Sequence, residues 1–311
     1  MSTGHNSASA VATEDTAAAI ESSDRPCLLF ATNGSAEADT ALRFASALAS
    51  QEELLLRVLT VLEPLPAIPA QPAGAAWHVT IEMERGEHLL DRVRDELSLL
   101  GKPPAASTCM LVGSPGTTIG AAAHEWNAKY VILGAGRHGA LERFLAGDTV
   151  VRVMRHAVTP VIAVPASSGA LPRNGVVAVD FGEPSLTAAR SAAELIGDGM
   201  LHLLHIRPEI DLPATDPSVW SEVYESGARS LMTRLVDELK SSHPDVRTTT
   251  TLLRGHVPTV LLDYADHIAA DLIAVGQHGH GVVDRFLFGT TAQAIVHSAR
   301  CAVLVAPPIG K

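Results

Sequence analysis

The second half of this 311-residue chain repeats the first half, and the repeat limits the possible folds more than any other feature. Residues 133–145 align with residues 275–287, and Gly113 and Gly255 keep the same offset from these segments. Solenoid repeats are about 20–50 residues long, so a repeat of this length indicates duplication of a whole domain.

Each copy alternates short apolar runs with longer amphipathic segments. Five runs have the length and the Val, Ile and Leu content of buried strands, and a helix-like segment separates each from the next. This alternation predicts the α/β class, with two tandem five-stranded, parallel, doubly wound domains of Rossmann-like form. In the second copy, one long helix is expected to bury a face made of Ala228, Leu231, Leu235 and Leu239.

The expected domains span residues 25–166 and 175–308. The linker between them, residues 167–174, is rich in Ser, Gly and Pro. Residues 1–24 are rich in Ser, Thr, Ala and acidic residues, and they have neither the basic segment nor the apolar core of a signal peptide. We expect this segment to be a disordered tail.

Composition argues against several classes of function. The net charge of −11 disfavours a nucleic-acid partner, because phosphate backbones select basic surfaces. No apolar run approaches the roughly 18 residues that cross a bilayer. Cys27, Cys109 and Cys301 stand far apart without metal-binding spacing, which is typical of a reduced intracellular protein. We therefore expect a cytoplasmic protein with no membrane partner and no metal site.

The most informative motif follows the fourth apolar run of the second copy. Gly276 and Gly279 come after the run that ends at Val275, and Gly289-Thr290-Thr291 begins a helix-like segment. Glycines let the backbone approach a ligand closely, and a helix N-terminus offers N–H groups and hydroxyls to an anion. Asp180, at the end of the first run, can accept hydrogen bonds from ribose hydroxyls or a base amino group. Together these residues predict a nucleotide site.

Both copies resemble universal stress protein domains, and the chain from residue 25 to residue 308 is similar to the tandem members of that family. The second copy fits the family's nucleotide pattern G-x2-G-x9-G-[S/T] at Gly276, Gly279, Gly289 and Thr290. The resemblance implies the adenine-nucleotide hydrolase-like form of the fold. It also implies ATP as the ligand, with or without Mg²⁺. Pairing through the final strands would make the two halves a pseudo-dimer, and two chains are expected to associate further as a homodimer.

The same resemblance implies roles for individual residues. Asp180 stands at the position that faces the base and the ribose, and Val179 and Ile206 stand where apolar residues line the adenine pocket. Thr290 donates its hydroxyl to phosphate oxygens, and Thr291 continues the same helix start. The predicted function is that of a stress-response regulator whose second half binds ATP and whose shape or partners change on binding.

The first copy departs from the pattern at each of these points. Asn33 replaces the aspartate, Arg137 occupies the position of the second glycine, and Asp148 replaces the hydroxyl residue. A carboxylate at a helix N-terminus would compete with phosphate for the same place. We expect the first copy not to bind ATP in the family manner, although Thr149 and Arg137 leave another mode of phosphate binding open.

The glycine-rich segment of the first copy and two residues of the second copy also fit other interpretations. Residues 134–139 match G-x-G-x-x-G, but a dinucleotide fingerprint belongs at the first strand-to-helix turn. Asp180 also suits an ordinary turn. His205 suits a core position with satisfied hydrogen bonds.

The sequence predicts no catalytic residue. It contains no G-x-S-x-G elbow and no lysine-bearing phosphate loop. Two alternatives to an ATP-binding regulator stay open. One is a slow ATP hydrolase or transferase of the same fold class, and the other is an interaction scaffold in which neither half binds nucleotide.

Overall fold

The computed structural model describes residues 26–35, 38–63, 72–100, 106–135, 149–168, 170–208, 217–277 and 289–308. It divides into two compact units, with the boundary between Gly169 and Ala170. In both units, short strands alternate with helices along the described chain.

The first unit contains β1 (Cys27–Ala31), α1 (Asp39–Gln51), β2 (Leu55–Leu62), α2 (Pro72–Leu99), β3 (Ala106–Val112), α3 (Pro115–Glu125), β4 (Ala128–Ala135), α4 (Thr149–His156) and β5 (Val161–Pro165). The second unit contains β6 (Asn174–Ala178), α5 (Glu183–Ile196), β7 (Met200–Arg207), α6 (Pro217–Ser242), β8 (Arg247–Arg254), α7 (Val257–His267), β9 (Leu272–Gly276), α8 (Thr290–Ser298) and β10 (Ala302–Ala306).

The strands of each unit pair in parallel. In the first unit their order is β3-β2-β1-β4-β5, and in the second it is β8-β7-β6-β9-β10. The chain builds each sheet outward from its first strand and then crosses to the other side of that strand. The order therefore reverses beside β1 and beside β6, and ligands of doubly wound sheets bind at such points. The predicted fold class is confirmed.

Most residues of the central strands are apolar, as expected where helices cover both faces of each sheet. Every residue of β1 is buried, and so is β9 up to Val275; β10, the last strand in the order of the second unit, is buried as well. Runs of this kind are typical of parallel strands, which have no solvent-facing side. The edge strand β8 differs, since its four consecutive threonines are partly or fully exposed.

Helix α6 corrects one prediction from the sequence. Ala228, Leu235 and Leu239 lie in the core as expected, but Leu231 is 41% exposed. Met232 takes its place, with 2% of its surface exposed. The spacing explains the difference, because positions 228, 232, 235 and 239 follow the i, i+4, i+7, i+11 stripe of one helix face and position 231 lies at its margin.

Two equivalent glycines let a helix approach the fourth strand of each unit. A Cβ atom on Gly276 would lie 2.8 Å from Pro184 Cβ and 2.9 Å from the backbone nitrogen of Ser185, both in the first turn of α5. A Cβ atom on Gly134 would lie 3.2 Å from the Cα atom of Ala38, just before α1. Glycine at these positions is therefore a packing requirement of the fold in both units.

Candidate functional site

The carboxyl edge of the second sheet brings together five of the predicted site residues. In the register of β6 and β7, Ala178 lies opposite Leu204. In the register of β6 and β9, Val177 lies opposite Ala274. Continuing these registers past the end of β6 sets Val179 and Asp180 beside Ile206 on one side and beside Val275 and Gly276 on the other. Val179, Ile206 and Val275 are buried, with 2%, 7% and 2% of their surfaces exposed.

Asp180 forms the turn that links β6 to α5. Its Oδ1 accepts a hydrogen bond from the Gly182 N–H at 2.9 Å, and its own N–H donates to Ser185 Oγ at 3.2 Å. Ser185 Oγ in turn donates to the Gly182 carbonyl at 3.0 Å. The carboxylate thus shapes the chain at the sheet edge, as the turn interpretation predicted, and this turn fixes where the carboxylate lies.

The start of α8 lies next to the end of β9. The Gln277 N–H donates to the Ala306 carbonyl at 2.8 Å, and the Gln277 carbonyl accepts from the Gly289 N–H at 3.0 Å. The N-cap of α8 is Gly289, which has no side chain to cap the first turn, and Thr290 is exposed. N–H groups in the first turn of a helix lack acceptors within the helix. Gly279, the second glycine of the predicted pattern, lies outside the described residues.

A cavity of about 330 Å³ opens between the starts of α7 and α8. Ligand pockets usually measure about 300–1,000 Å³, so its size suits a small organic ligand. It is lined by Pro208, Gly255, His256, Val257, Pro258 and Thr291. Of the predicted site residues that the structure describes, only Thr291 lines it. The repeat had drawn attention to Gly255 by its offset, and the other four residues were missed, although a glycine followed closely by proline marks this strand-to-helix turn in both copies.

His205 lies under the Asp180 turn and is 6% exposed. Its Nδ1 lies 2.7 Å from the Val179 carbonyl oxygen, and its Nε2 lies 2.7 Å from the Tyr224 hydroxyl. The prediction of a core histidine with satisfied hydrogen bonds is confirmed. Sequence reasoning did not find its partners, because a hydrogen bond between neighbouring strands depends on their register.

The first unit builds the same turn with different residues. Asn33 Oδ1 accepts from the Ser35 N–H at 3.1 Å, as Asp180 does from Gly182, and Thr32 Oγ1 accepts from the Gly34 N–H at 2.9 Å. Arg92 of α2 closes this turn, since it donates to the Gly34 carbonyl and to a carboxylate oxygen of Asp39 at 3.1 Å. The cavity lined by Thr32, Gly34, Ser35, Asp39 and Arg92 measures about 10 Å³.

Neither Ser185 nor any of the three cysteines has the properties of an activated nucleophile. Both Ser185 hydrogen bonds described above are structural, and the residue is 2% exposed. Burial raises the pKa of Cys27, and it raises the pKa of Cys109 to about 11. Burial and the nearby carboxylate of Asp271 raise the pKa of Cys301 to about 12. Protonated thiols are poor nucleophiles.

The described part of the chain shows neither a metal-binding cluster nor a helix suited to a membrane. No group of three or more His, Cys, Asp or Glu side chains is arranged to hold a metal ion. None of the described helices is long and apolar enough to cross a membrane.

His202 joins a polar network on the α7 face of the second sheet. Its Nε2 lies 3.2 Å from Asn174 Oδ1, and its Nδ1 lies 2.8 Å from Thr249 Oγ1. The Tyr264 ring packs edge-on against the imidazole, with ring centroids 6.0 Å apart. Burial lowers the pKa of His202 below its usual value of 6.5.

We expect His202 to make the second unit less stable as the pH falls. Because its pKa is lowered on folding, the unfolded chain takes up the proton at a higher pH than the folded protein does, so acid favours unfolding. Stability should decline as the pH falls through about 6.5, the usual histidine pKa. In His202→Gln this component is lost, and urea titrations between pH values of about 7.5 and 5.5 should show a smaller decline than in the parent. Equal declines would contradict the assignment.

Comparison with known proteins gives consistent results for both halves of the chain. The model of the Universal stress protein family matches residues 28–165 and residues 173–307. A universal stress protein of Mycolicibacterium smegmatis is 26% identical over 298 residues, which cover 93% of this chain and 99% of that protein. A universal stress protein of Mycobacterium tuberculosis strain H37Rv is 26% identical over 293 residues, 88% of this chain and 94% of its own.

Solved structures match the fold along the chain. A universal stress protein from Archaeoglobus fulgidus has a TM-score of 0.63 at 18% sequence identity, over 91% of this chain and 96% of that one. A protein of Pseudomonas aeruginosa described as a putative universal stress protein has a TM-score of 0.57 at 18% identity, over 94% and 95% of the two chains. At this level of identity the likeness shows the fold alone.

Proposed function

Since the chain belongs to the universal stress protein family, in a tandem form with two such domains, we propose that it is a stress-response regulator whose second unit binds ATP. The observation that carries the proposal is the meeting of Asp180, Gly276 and the start of α8 at one sheet edge, where the strand order reverses. Occupancy of this site would change the shape of the protein or the partners that it binds.

The base and sugar would lie over the ends of β6 and β7. The hydrogen bond from the Gly182 N–H holds Asp180 in a turn, so its carboxylate has a fixed position from which to accept hydrogen bonds from ribose hydroxyls. In a parallel sheet, backbone groups alternate between the two neighbouring strands. Leu204 directs its carbonyl toward Val179, with a distance of 2.8 Å from the Val179 nitrogen. Ile206 is next in that alternation, so its backbone points toward the Asp180 turn and is suited to meet the edge of an adenine base.

The phosphates would lie at the start of α8. An exposed threonine hydroxyl at Thr290 and the N–H groups of an uncapped first turn together favour an anion. Thr291 continues this surface into the cavity of about 330 Å³. That cavity extends to the start of α7 at His256 and Val257, and it offers room for the far end of a triphosphate with or without Mg²⁺.

The proposal concerns binding and regulation, with at most weak ATP hydrolysis. Ser185 and the three cysteines are poor candidates for a nucleophile, because Ser185 Oγ is engaged in the hydrogen bonds of the turn and burial raises the pKa values of the thiols. We also propose a cytoplasmic homodimer, in keeping with the resemblance to the family. A monomeric mass in sedimentation equilibrium across the working concentration range would contradict the homodimer.

Asp180→Asn tests the proposal directly. The amide can keep the turn, as Asn33 does in the first unit, but it loses the charge and one of the two acceptor oxygens. We expect ATP affinity, measured by calorimetric titration, to fall by about tenfold or more, because a hydrogen bond to a charged group is worth about 1.5–3 kcal/mol. The melting temperature should stay close to that of the parent.

Asp245→Asn is the matched control, because it makes the same change of charge at an exposed position in a turn outside the site. It should bind ATP as the parent does. Two results would count against the proposal: no ATP binding by the parent protein, or full affinity in Asp180→Asn.

A further inference from the structure

Just past the end of β6, a side chain takes the place of the next backbone hydrogen bond between β6 and β7. The last backbone hydrogen bond between β6 and β7 at this end joins the Val179 N–H to the Leu204 carbonyl at 2.8 Å. The Val179 carbonyl is then met by His205 Nδ1 at 2.7 Å. Asp180 follows directly, so His205 holds the peptide bond that carries the predicted ribose-binding carboxylate.

The partners of His205 determine its tautomer. A carbonyl oxygen can only accept, so Nδ1 must carry a proton toward Val179. The other ring nitrogen, Nε2, lies 2.7 Å from the Tyr224 hydroxyl, which can donate or accept a hydrogen bond. Two hydrogen bonds therefore link Tyr224 through the imidazole to Val179. Arg207 lies over the outer face of the tyrosine, with its Cζ 4.8 Å from the ring centroid.

Phe181 is the residue that most needs this support. Its φ is +64°, a left-handed conformation that a bulky side chain rarely adopts and that persists only where surrounding contacts enforce it. The Phe181 ring packs against the His205 ring, with centroids 4.8 Å apart and planes inclined by 35°. The same imidazole thus contacts the residues on both sides of Asp180.

The first unit shows what the turn looks like without this arrangement. At the position of Phe181 it has Gly34, whose φ of +70° carries no side-chain penalty. At the position of His205 it has Thr60, a buried residue whose Oγ1 meets no partner in the described part of the chain. The unit with the intact glycine pattern is therefore the one in which an imidazole contacts the turn and a tyrosine hydroxyl contacts that imidazole.

We propose that His205 is a positioning residue for the nucleotide site: it holds Val179 and Phe181 so that the Asp180 carboxylate is preset for the ribose, and the hydrogen bond to Tyr224 holds the imidazole in place. The inference rests on the proposed function of the second unit. It assigns His205 and Tyr224 no contact with the ligand. Their effect on affinity comes from the order that they impose on the turn before the ligand arrives.

Three variants separate positioning from general packing. His205→Leu removes both hydrogen bonds, whereas His205→Asn keeps an N–H donor near the place of Nδ1 and rescues the bond to Val179. Tyr224→Phe removes only a hydroxyl, from a residue that is 40% exposed, so the fold should tolerate it. Two measurements are made on each full-length protein: hydrogen exchange at the Asp180 and Gly182 amides without nucleotide, and ATP affinity by calorimetry.

We expect His205→Leu to speed exchange at these amides and to weaken ATP binding, each by about tenfold, the change that loss of one good hydrogen bond produces. His205→Asn should lie within about threefold of the parent in both measurements, and Tyr224→Phe should fall between the two.

The outcomes distinguish this inference from the proposed function. If the parent binds ATP and His205→Leu binds it equally well, the positioning role is overturned and the site stands. Unchanged exchange at Asp180 and Gly182 in His205→Leu overturns it as well, and so does an Asn variant as impaired as the Leu variant. If the parent binds no ATP, the proposed function fails and the inference about affinity fails with it.

Discussion

A Gly276→Val variant is expected to lose about 3 kcal/mol of unfolding free energy in the second unit, near the upper end of the cost of overpacking. The first atom of the new side chain would lie 2.8 Å from Pro184 Cβ and 2.9 Å from two backbone atoms of Pro184 and Ser185. Backbone atoms cannot rotate away as a flexible side chain can, so β9 and the start of α5 must move apart. Interiors packed at crystal-like density resist such a shift.

The melting temperature reports this effect. For a unit of this size, about 3 kcal/mol corresponds to a fall of roughly 10 °C. Differential scanning calorimetry of the parent and the variant gives the comparison. Gly134→Val, the equivalent change in the first unit, should cost less, because its closest contact would be the Ala38 Cα atom at 3.2 Å.

Gly227→Ala is the control for glycine replacement as such. Gly227 is exposed within α6, and a Cβ atom there would meet nothing within 4 Å. Alanine should therefore stabilise the helix by about 1 kcal/mol, the difference in helix propensity between the two residues. If Gly276→Val has the same melting temperature as the parent, the close contact between β9 and α5 does not depend on this glycine.

A Gly279→Arg variant is expected to purify without bound nucleotide, whereas the parent releases about one ATP per chain on denaturation. The chain leaves the sheet edge at Gln277 and returns at Gly289, and a backbone hydrogen bond of 3.0 Å joins these two residues. Gly279 follows Gln277 by two positions. An arginine side chain there would take the space that the backbone has to leave for phosphate, as Arg137 is predicted to do in the first copy.

The reciprocal change supplies the control. Arg137→Gly restores one glycine to the first unit, but Asn33 and Asp148 remain, so the released nucleotide should stay at the level of the parent. Chromatography of the denatured supernatant, followed by calorimetric titration of each protein, measures both quantities. If the Gly279→Arg protein retains ATP, the glycine pattern is not part of the binding site. If the parent releases two ATP molecules per chain, the first unit also binds ATP.

The amino-acid sequence was sufficient for the fold because the repeated pattern is local. Apolar runs alternate with helical periodicity in both copies, and the strand order found in each unit is the usual outcome of that alternation. Leu231 was placed wrongly, since Leu231 and Met232 are adjacent apolar residues and helical periodicity alone does not decide which of them lies in the stripe.

Details of the site were harder to predict, because they depend on register and on unfavourable local geometry. The bond from His205 to Val179 requires knowing which residues face each other across β6 and β7. Phe181 has a positive φ, which its residue type argues against. The cavity residues His256, Val257 and Pro258 come from a helix start that carries no side-chain pattern of a ligand site.

The paired turns at Asn33 and Asp180 have a consequence for the history of a duplicated gene. Both residues make the same turn through one oxygen, at 3.1 Å and 2.9 Å from the nitrogen two positions on, so the fold does not distinguish amide from carboxylate. Codons for asparagine and aspartate differ by a single base. A lineage can therefore exchange one for the other without passing through an unstable protein. Selection on folding and selection on ligand binding can act separately on each half of the gene.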